Sequence, residues 1–459
     1  MELISLIATL MVATFIGFNV LYIVLGKFDK LSFSEAVFIS FALGLGTISL
    51  EMLIFYLLGL TFSVPVILIP WTILVTINVY RHMKYGDGFT FSERSTIPKE
   101  KNRALSIFLT CGITLEVAYA FFRALIKPIE AYDAVAIYAI KSKIFFLAKA
   151  IPQNYFPGLV HGFPHPDYPL NIPLSETFLY LAMRNLNDQL VKLIFPLFFV
   201  GILCILYFAI RRFASRAYAL LFTFLLASIP MFNAYAANAY QELPLAFYYF
   251  ASAIFLFAWI KEKKDLHILG LSAVLVALAG WTKNEGMLYC VINASIVLFV
   301  SVLARKDTSW KVTIAPVMYV FIIALILAPW IWVKQRFGIV NDEINLFNLN
   351  PVYLFKQLYK MGPILYEFQK QLFGPKKWIL LWPIAIYAAI FHSRKIFAPE
   401  QRYISISLIL AFCGYVLFYM VSYVDVVFFT SKTWGRFMLH FLPLVVLWLA
   451  HMLKEDIKI

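Results

Sequence analysis

Charge is scarce in this chain. Only 14% of its 459 residues are Asp, Glu, Lys or Arg, against 62% hydrophobic side chains. That balance excludes an ordinary soluble domain, whose surface calls for about 25% charged residues. Cysteine is scarce too. Cys111, Cys204, Cys290 and Cys413 each fall inside an apolar stretch, so the sequence offers neither a disulfide framework nor a zinc spacing. It contains no Gly-rich phosphate loop, no nucleotide-binding fingerprint and no internal repeat. The first apolar stretch has no basic segment ahead of it and no small-residue cleavage site, so it reads as a retained helix and not as a signal peptide. Neither end reads as a large soluble domain.

What the sequence does have is long apolar runs. With a mean hydropathy of +0.81, it reads as an all-α polytopic membrane protein. A span needs ~20 apolar residues to cross ~30 Å of hydrocarbon, and about thirteen stretches qualify. They begin with Leu3–Leu25 and Glu35–Leu60, include Ala217–Phe232, Leu266–Gly280 and Trp378–Phe391, and end with Phe437–Leu453. Two long loops, 123–192 and 334–377, interrupt them. The second predicts one or two amphipathic helices.

Basic residues give the orientation. With the N-terminus outside, the basic segments "KFDK", "RRFASR", "KEKKD", "ARKDTSWK" and "HSRKIFAPEQR" share one side with residues 81–103 and the C-terminal "HMLKEDIKI". The short loops opposite hold only Lys283, Lys432 and Arg436. The positive-inside rule then predicts a plasma (inner) membrane protein with the N-terminus outside, the C-terminus cytoplasmic and both long loops outside. The net charge of +14 largely reflects this bias. It suits anionic lipid headgroups and is no sign of nucleic acid.

The chemistry-bearing residues collect on the outer face. "IEAYDAVAIYAIKSKIFFLAKAIP" predicts an interfacial helix over Ala134–Ala150, ended by Pro152, with Asp133 placed to cap it. "FPHPDYPLNIPL", Phe163 to Leu174, carries four prolines. These predict a non-helical segment, which at membrane depth must be buried in protein or line a wet cavity. "ANAYQELPLAF" puts Glu242 at a helix start. "GWTKNEG" carries Lys283 and Glu285, and "TSKTWGRFMLHFLPL" carries Lys432, Arg436 and His440. Each has a plain reading: an acid at a helix N-terminus, or a base anchored at the headgroups. Those readings leave unexplained why acids and bases pair at one depth on separate segments. Glu51 and Glu116 lie inside spans, where a carboxylate needs a partner or a cavity.

This set resembles the GT-C superfamily of membrane glycosyltransferases. The likeness rests on Asp133 in the first large outer loop, the Lys-bearing helix after it, "HPDYPL", the acid before "PLA" and "RFMLHFLP". The branch it is most similar to contains protein O-mannosyltransferases and lipid A aminoarabinose transferases. The likeness runs from about Arg103 to the C-terminus. It divides the chain into residues 1–102, three added helices with a basic cytoplasmic loop, and 103–459, a GT-C-like membrane catalytic domain. The first motif reads Asp133-Ala134, where many relatives have two acids.

The resemblance implies inverting transfer of a sugar from a polyprenyl-phosphate carrier on the non-cytoplasmic face. It casts Asp133 as the base that deprotonates the acceptor hydroxyl. Lys141, Lys283 and Arg436 would receive the donor phosphate, where negative charge builds. The leaving phosphate is a stable anion, so the second carboxyl of a glycosidase is not needed. Lys141 lies ~12 Å along a helix from Asp133. Glu242, His165, Asp167, Tyr168 and Glu285 would line the sugar or acceptor site. The spacing His161-x3-His165-x-Asp167 could hold a divalent cation or be plain loop, so no cofactor is assigned and the metal stays open. The implied partners are a polyprenyl-phosphate sugar, membrane lipids and a glycan, lipid or protein acceptor. Two other classes compete: a transporter or flippase for lipid-linked saccharides, and an O-antigen ligase or polymerase.

Overall fold

The computed structural model describes residues 1–85, 91, 102–158, 165–261, 265–304, 310–341, 343–345, 348–399, 401–457 and 459. Within the hydrocarbon layer every backbone donor and acceptor must be satisfied locally, which leaves helix as the structure for such apolar runs. Among the described residues, ten helices are long and apolar enough to cross a membrane, and three more are apolar but shorter. Each coincides with one of the predicted stretches. The chain is a multi-pass, all-α membrane protein.

The first four helices are α1 (Glu2–Leu25), α2 (Phe33–Leu57), α3 (Val64–Tyr85) and α4 (Arg103–Ile126). Two shorter ones follow in the first long loop, α5 (Ile140–Ala148) and α6 (Asn171–Met183). Then come α7 (Ile194–Arg211), α8 (Arg216–Ala227), α9 (Glu242–Lys261), α10 (Leu266–Thr282), α11 (Gly286–Leu303) and α12 (Trp310–Arg336). The chain closes with α13 (Met361–Leu372), α14 (Leu381–Phe391), α15 (Arg402–Val421) and α16 (Val426–Met452). Helices α9 and α16 are almost wholly enclosed, whereas α3, α4 and α12 turn most of their apolar surface outward.

Several boundaries depart from expectation. The stretch Ala217–Phe232 is two helices, because Pro230 starts a new one and cannot donate the bond that would continue α8. Trp378–Phe391 is likewise cut at Ile379, whose φ is 52°. The last helix starts at Val426, not Phe437, because the Asp425 carboxylate accepts from the Phe428 N–H at 2.8 Å and caps it. The interfacial helix opens as a π-helix over Ala134–Ala139 before becoming α5, and Asp133 makes no capping bond. The proline-rich stretch turns helical at Asn171, with Pro173 inside. Pro173 lies in the first turn, where its missing N–H costs nothing.

Two glycines fix the first two helices to each other. A Cβ at Gly17 would stand 1.8 Å from the Ser40 carbonyl oxygen, and one at Gly44 would stand 1.8 Å from that of Ala13. Helices α1 and α2 thus touch backbone to backbone, the small-residue packing that bilayers favour. Helix α2 then hydrogen-bonds inward. Ser49 meets Asn171 of α6 and Trp281 of α10, both at 2.8 Å. Tyr248 of α9 donates to the Ala42 carbonyl at 2.6 Å. Gly44→Val is expected to force these backbones apart and cost about 1–3 kcal/mol, read as a lower thermal midpoint of the detergent-solubilised protein. An unchanged midpoint would mean that the contact is not needed.

Candidate active site

Three helix ends and one loop converge at the same end of the bundle. Helix α9 begins there with Glu242, and α10 ends there with Lys283 as its last cap. Lys283 and Glu285 occupy a tight turn into α11, closed by the Gly286 N–H to Lys283 carbonyl bond at 2.9 Å. A Cβ at Gly286 would lie 2.1 Å from the Ala279 carbonyl oxygen, so only glycine permits this approach. Arg436 enters from α16, and Asp133 from the start of the π-helical turn before α5.

Arg436 is the hub. Its Nη1 donates to Asp133 Oδ2 at 2.5 Å and its Nε to Glu242 Oε1 at 2.6 Å. The guanidinium lies over the Tyr240 ring, 4.9 Å from its centre. Lys283 extends the chain of charges, 3.2 Å from Glu242 and 2.7 Å from Glu285. The Glu242 and Lys283 side chains are 0% and 2% exposed, against 23% for Asp133. Buried charges are tolerable only when matched and hydrogen-bonded; each charge in this string has an opposite partner, while Glu242 Oε2 and Glu285 Oε2 are buried with no hydrogen-bond partner among the described residues. Asp133 is the carboxylate that a substrate can reach.

A second group sits beside it. Lys141, also buried, donates to the His165 carbonyl at 2.9 Å and lies 6.0 Å from the Tyr168 ring centre. Burial pulls its ammonium down to about 8, opposed by nearby Asp167. Asp167 is wholly enclosed and accepts from Asn284 at 2.5 Å and Asn341 at 2.6 Å. His165 stacks on Tyr168 at 4.5 Å with φ at 58°, a backbone region that a non-glycine residue occupies only when its surroundings hold it there.

Tyr138 joins the two groups. Its ring stacks on Tyr168 at 6.2 Å, and its buried hydroxyl has no hydrogen-bond partner among the described residues. Burial, then the carboxylates of Glu242, Glu285 and Asp133, push this phenol far up, so it remains a donor.

The structure therefore brings Asp133, Arg436, Glu242, Lys283 and Glu285 into one network, and Lys141, His165, Asp167 and Tyr168 into an adjoining one. Lys141 and Arg436 do not share a partner. Sequence reasoning missed Tyr138, Tyr240, Asn284 and Asn341. In a regular α-helix Tyr138 would point away from Asp133, and the wider π turn turns it back. Asn284 had only its place between Lys283 and Glu285 to mark it. Glu51 and Glu116 lie elsewhere. Glu51 accepts from Trp71 at 2.5 Å and Glu116 from Asn233 at 2.9 Å. Among the described residues no three His, Cys, Asp or Glu side chains converge as metal ligands. His161, and with it the spacing to His165 and Asp167, lies outside the described residues.

No protein-family model matches the sequence, and no curated protein matches it. A solved structure does match: the crystal structure of ArnT from Cupriavidus metallidurans bound to undecaprenyl phosphate. It aligns with a TM-score of 0.50 at 16% identity, over 76% of this chain and 60% of that one. The chain has the GT-C fold. At that identity the likeness is one of fold, and the chain spans about 60% of the length of ArnT.

Arg436→Leu would leave Glu242 and Asp133 without their shared cation. It is expected to cost about 3–5 kcal/mol, seen as a lower thermal midpoint, with part of the loss recovered by adding Glu242→Gln. A single variant as stable as wild type would refute the hub.

Proposed function

We propose that this protein is an inverting glycosyltransferase that moves a sugar from a polyprenyl-phosphate carrier to an acceptor on the non-cytoplasmic face of the membrane. The observation that carries the proposal is a reachable carboxylate, Asp133, held against the cation Arg436, which is itself fixed by the buried pair Glu242 and Lys283.

That geometry supports a single displacement. The acceptor hydroxyl attacks the anomeric carbon and gives its proton to Asp133. The bond from that carbon to the phosphate oxygen breaks on the opposite side, and the polyprenyl phosphate leaves with the electron pair. Arg436 meets the charge that grows on the phosphate. In this scheme the phosphate replaces Asp133 on Nη1, which frees the carboxylate to take the proton as the donor binds. Glu242 and Glu285 keep Arg436 and Lys283 oriented, so little reorganisation is needed. Lys141 adds positive charge beside the sugar-facing wall of His165, Asp167 and Tyr168, and Tyr138 offers a hydroxyl donor there.

The fold shared with a protein crystallised with undecaprenyl phosphate supports a polyprenyl-phosphate donor. The basic short loops at the opposite end of the bundle support an outward-facing site. Each of the three acids is already engaged by Lys283 or Arg436, and among the described residues no three potential ligands converge, which supports transfer without a divalent cation. A transporter would place its charges at broken helices near the midplane, whereas Glu242, Lys283 and Glu285 sit at helix ends.

The test is sugar transfer by the purified protein in nanodiscs from a panel of polyprenyl-phosphate sugars to extracted membrane acceptors. Asp133→Asn is expected to lower turnover about 10²–10⁴-fold while donor binding persists, and EDTA is expected to leave the rate unchanged. Full turnover in the variant would remove Asp133 as the base, and a rate lost to EDTA would install a metal. Lys141 loses its proton as pH rises through about 8, so KM for the donor is expected to climb above that pH. Lys141→Arg should carry the low KM to higher pH. A donor KM that stays flat from neutral pH to well above this value would detach Lys141 from the phosphate.

A further inference from the structure

The GT-C reading uses one end of the bundle. The other end holds a cavity of about 950 Å³ that it does not explain. Its size falls at the upper end of the range for small-molecule sites, ~300–1,000 Å³. The ends of α1, α7, α9, α10, α15 and α16 enclose it. Helix α9 has 20 residues, so ~30 Å separates Glu242 from this far end, about the thickness of the hydrocarbon layer. The cavity therefore lies at headgroup depth in the leaflet opposite the candidate site.

Its lining has two parts. Leu25, Ile254, Phe255, Phe257, Ile268 and Leu447 make apolar walls. Lys27, Lys30, Arg212, Lys261 and Arg402 bring positive charge, against Asp29 and Asp265. Two of these cations are already committed. Lys30 meets Asp265 at 3.2 Å, and Arg212 meets Glu35 at 2.7 Å. Lys27, Lys261 and Arg402 are exposed and have no acidic partner among the described residues. The Arg402 guanidinium lies over the Tyr403 ring at 4.8 Å, which leaves its N–H edges to a ligand. Three uncommitted cations above apolar walls complement an amphiphile with an anionic head.

We propose that this cavity binds the phosphate headgroup and upper acyl chains of an anionic phospholipid from the adjacent leaflet. Lys27 follows α1, Lys261 ends α9 and Arg402 starts α15. A phosphodiester shared among them would tie the N-terminal helix pair to the central helices at the end remote from the charge network. A bilayer supplies such a lipid at high local concentration, and cations at this depth attract it at about 1 kcal/mol each.

The experiment uses the full chain, delipidated in detergent and then titrated with phosphatidylglycerol or phosphatidylcholine. Bound lipid is counted by native mass spectrometry, and the thermal midpoint is followed in parallel. Phosphatidylglycerol is expected to be retained and to raise the midpoint, and phosphatidylcholine to do neither. The combined Lys27→Gln, Lys261→Gln and Arg402→Gln variant is expected to bind roughly 100-fold more weakly, since each cation contributes about fivefold. These side chains are exposed, so the variant should fold. Lys84→Gln with Arg394→Gln serves as the control of equal exposure and is expected to bind like wild type. Equal retention of phosphatidylcholine, a triple variant that binds like the control, or a triple variant that loses polyprenyl phosphate or inorganic phosphate in place of phosphatidylglycerol would each overturn the proposal.

Discussion

The Arg436 guanidinium holds the site together. It reaches Glu242 at the start of α9 and Asp133 in a loop more than three hundred residues earlier in the chain. A charge at this depth is stable only when matched, so these contacts join α9, α16 and the first outer loop into a fixed arrangement. Lys283 is drawn in because Glu242 would otherwise carry one cation between itself and Asp133. Glu285 follows because Lys283 would otherwise share a single carboxylate. Each buried charge thus calls for the next, and the string ends where Asp133 meets solvent.

The hydrophobic helices supply the frame that keeps the string in place. Within hydrocarbon there is no apolar driving force between helices, so close contact has to come from small residues and interhelical hydrogen bonds. Both are present. Gly17 and Gly44 bring α1 and α2 to backbone contact, and Ser49, Asn171, Trp281 and Thr282 hydrogen-bond across α2, α6 and α10. These bonds lie just beneath the turn that carries Lys283. The N-terminal helices therefore abut the supports of the charge network. At the far end, charge is arranged differently: the cations there outnumber their acidic partners, which suits an anionic interface more than a catalytic one.

Much of this was legible in the chain. Long apolar runs with few charges identified every span, because the cost of burying an unpaired backbone group leaves helix as the only solution. The residues of the charge network were also legible as acids and bases at the ends of separate spans. Their partners were not. Asp133 read as a helix cap or as the base; it makes no capping bond, and its pairing with Arg436 was not legible. Lys141 read as a candidate phosphate ligand, and its bond to the His165 carbonyl had no mark in the sequence. Tyr138 carried no signal, since the π turn that aims it at the network leaves no mark in the hydrophobic pattern.

The sequence by itself determined the class of protein, the position and order of its apolar stretches and the short list of polar residues at their ends. All of these follow from local periodicity and from the transfer cost of polar groups. Only the tertiary structure decided which acid meets which base. Side-chain pairing depends on helix rotation, tilt and turn geometry, and those are set by contacts between segments far apart in the chain, such as Gly44 against Ala13 or Gly286 against Ala279. Two residues 303 positions apart share no local pattern, and their 2.5 Å contact exists only because the packed bundle brings α16 against the first outer loop.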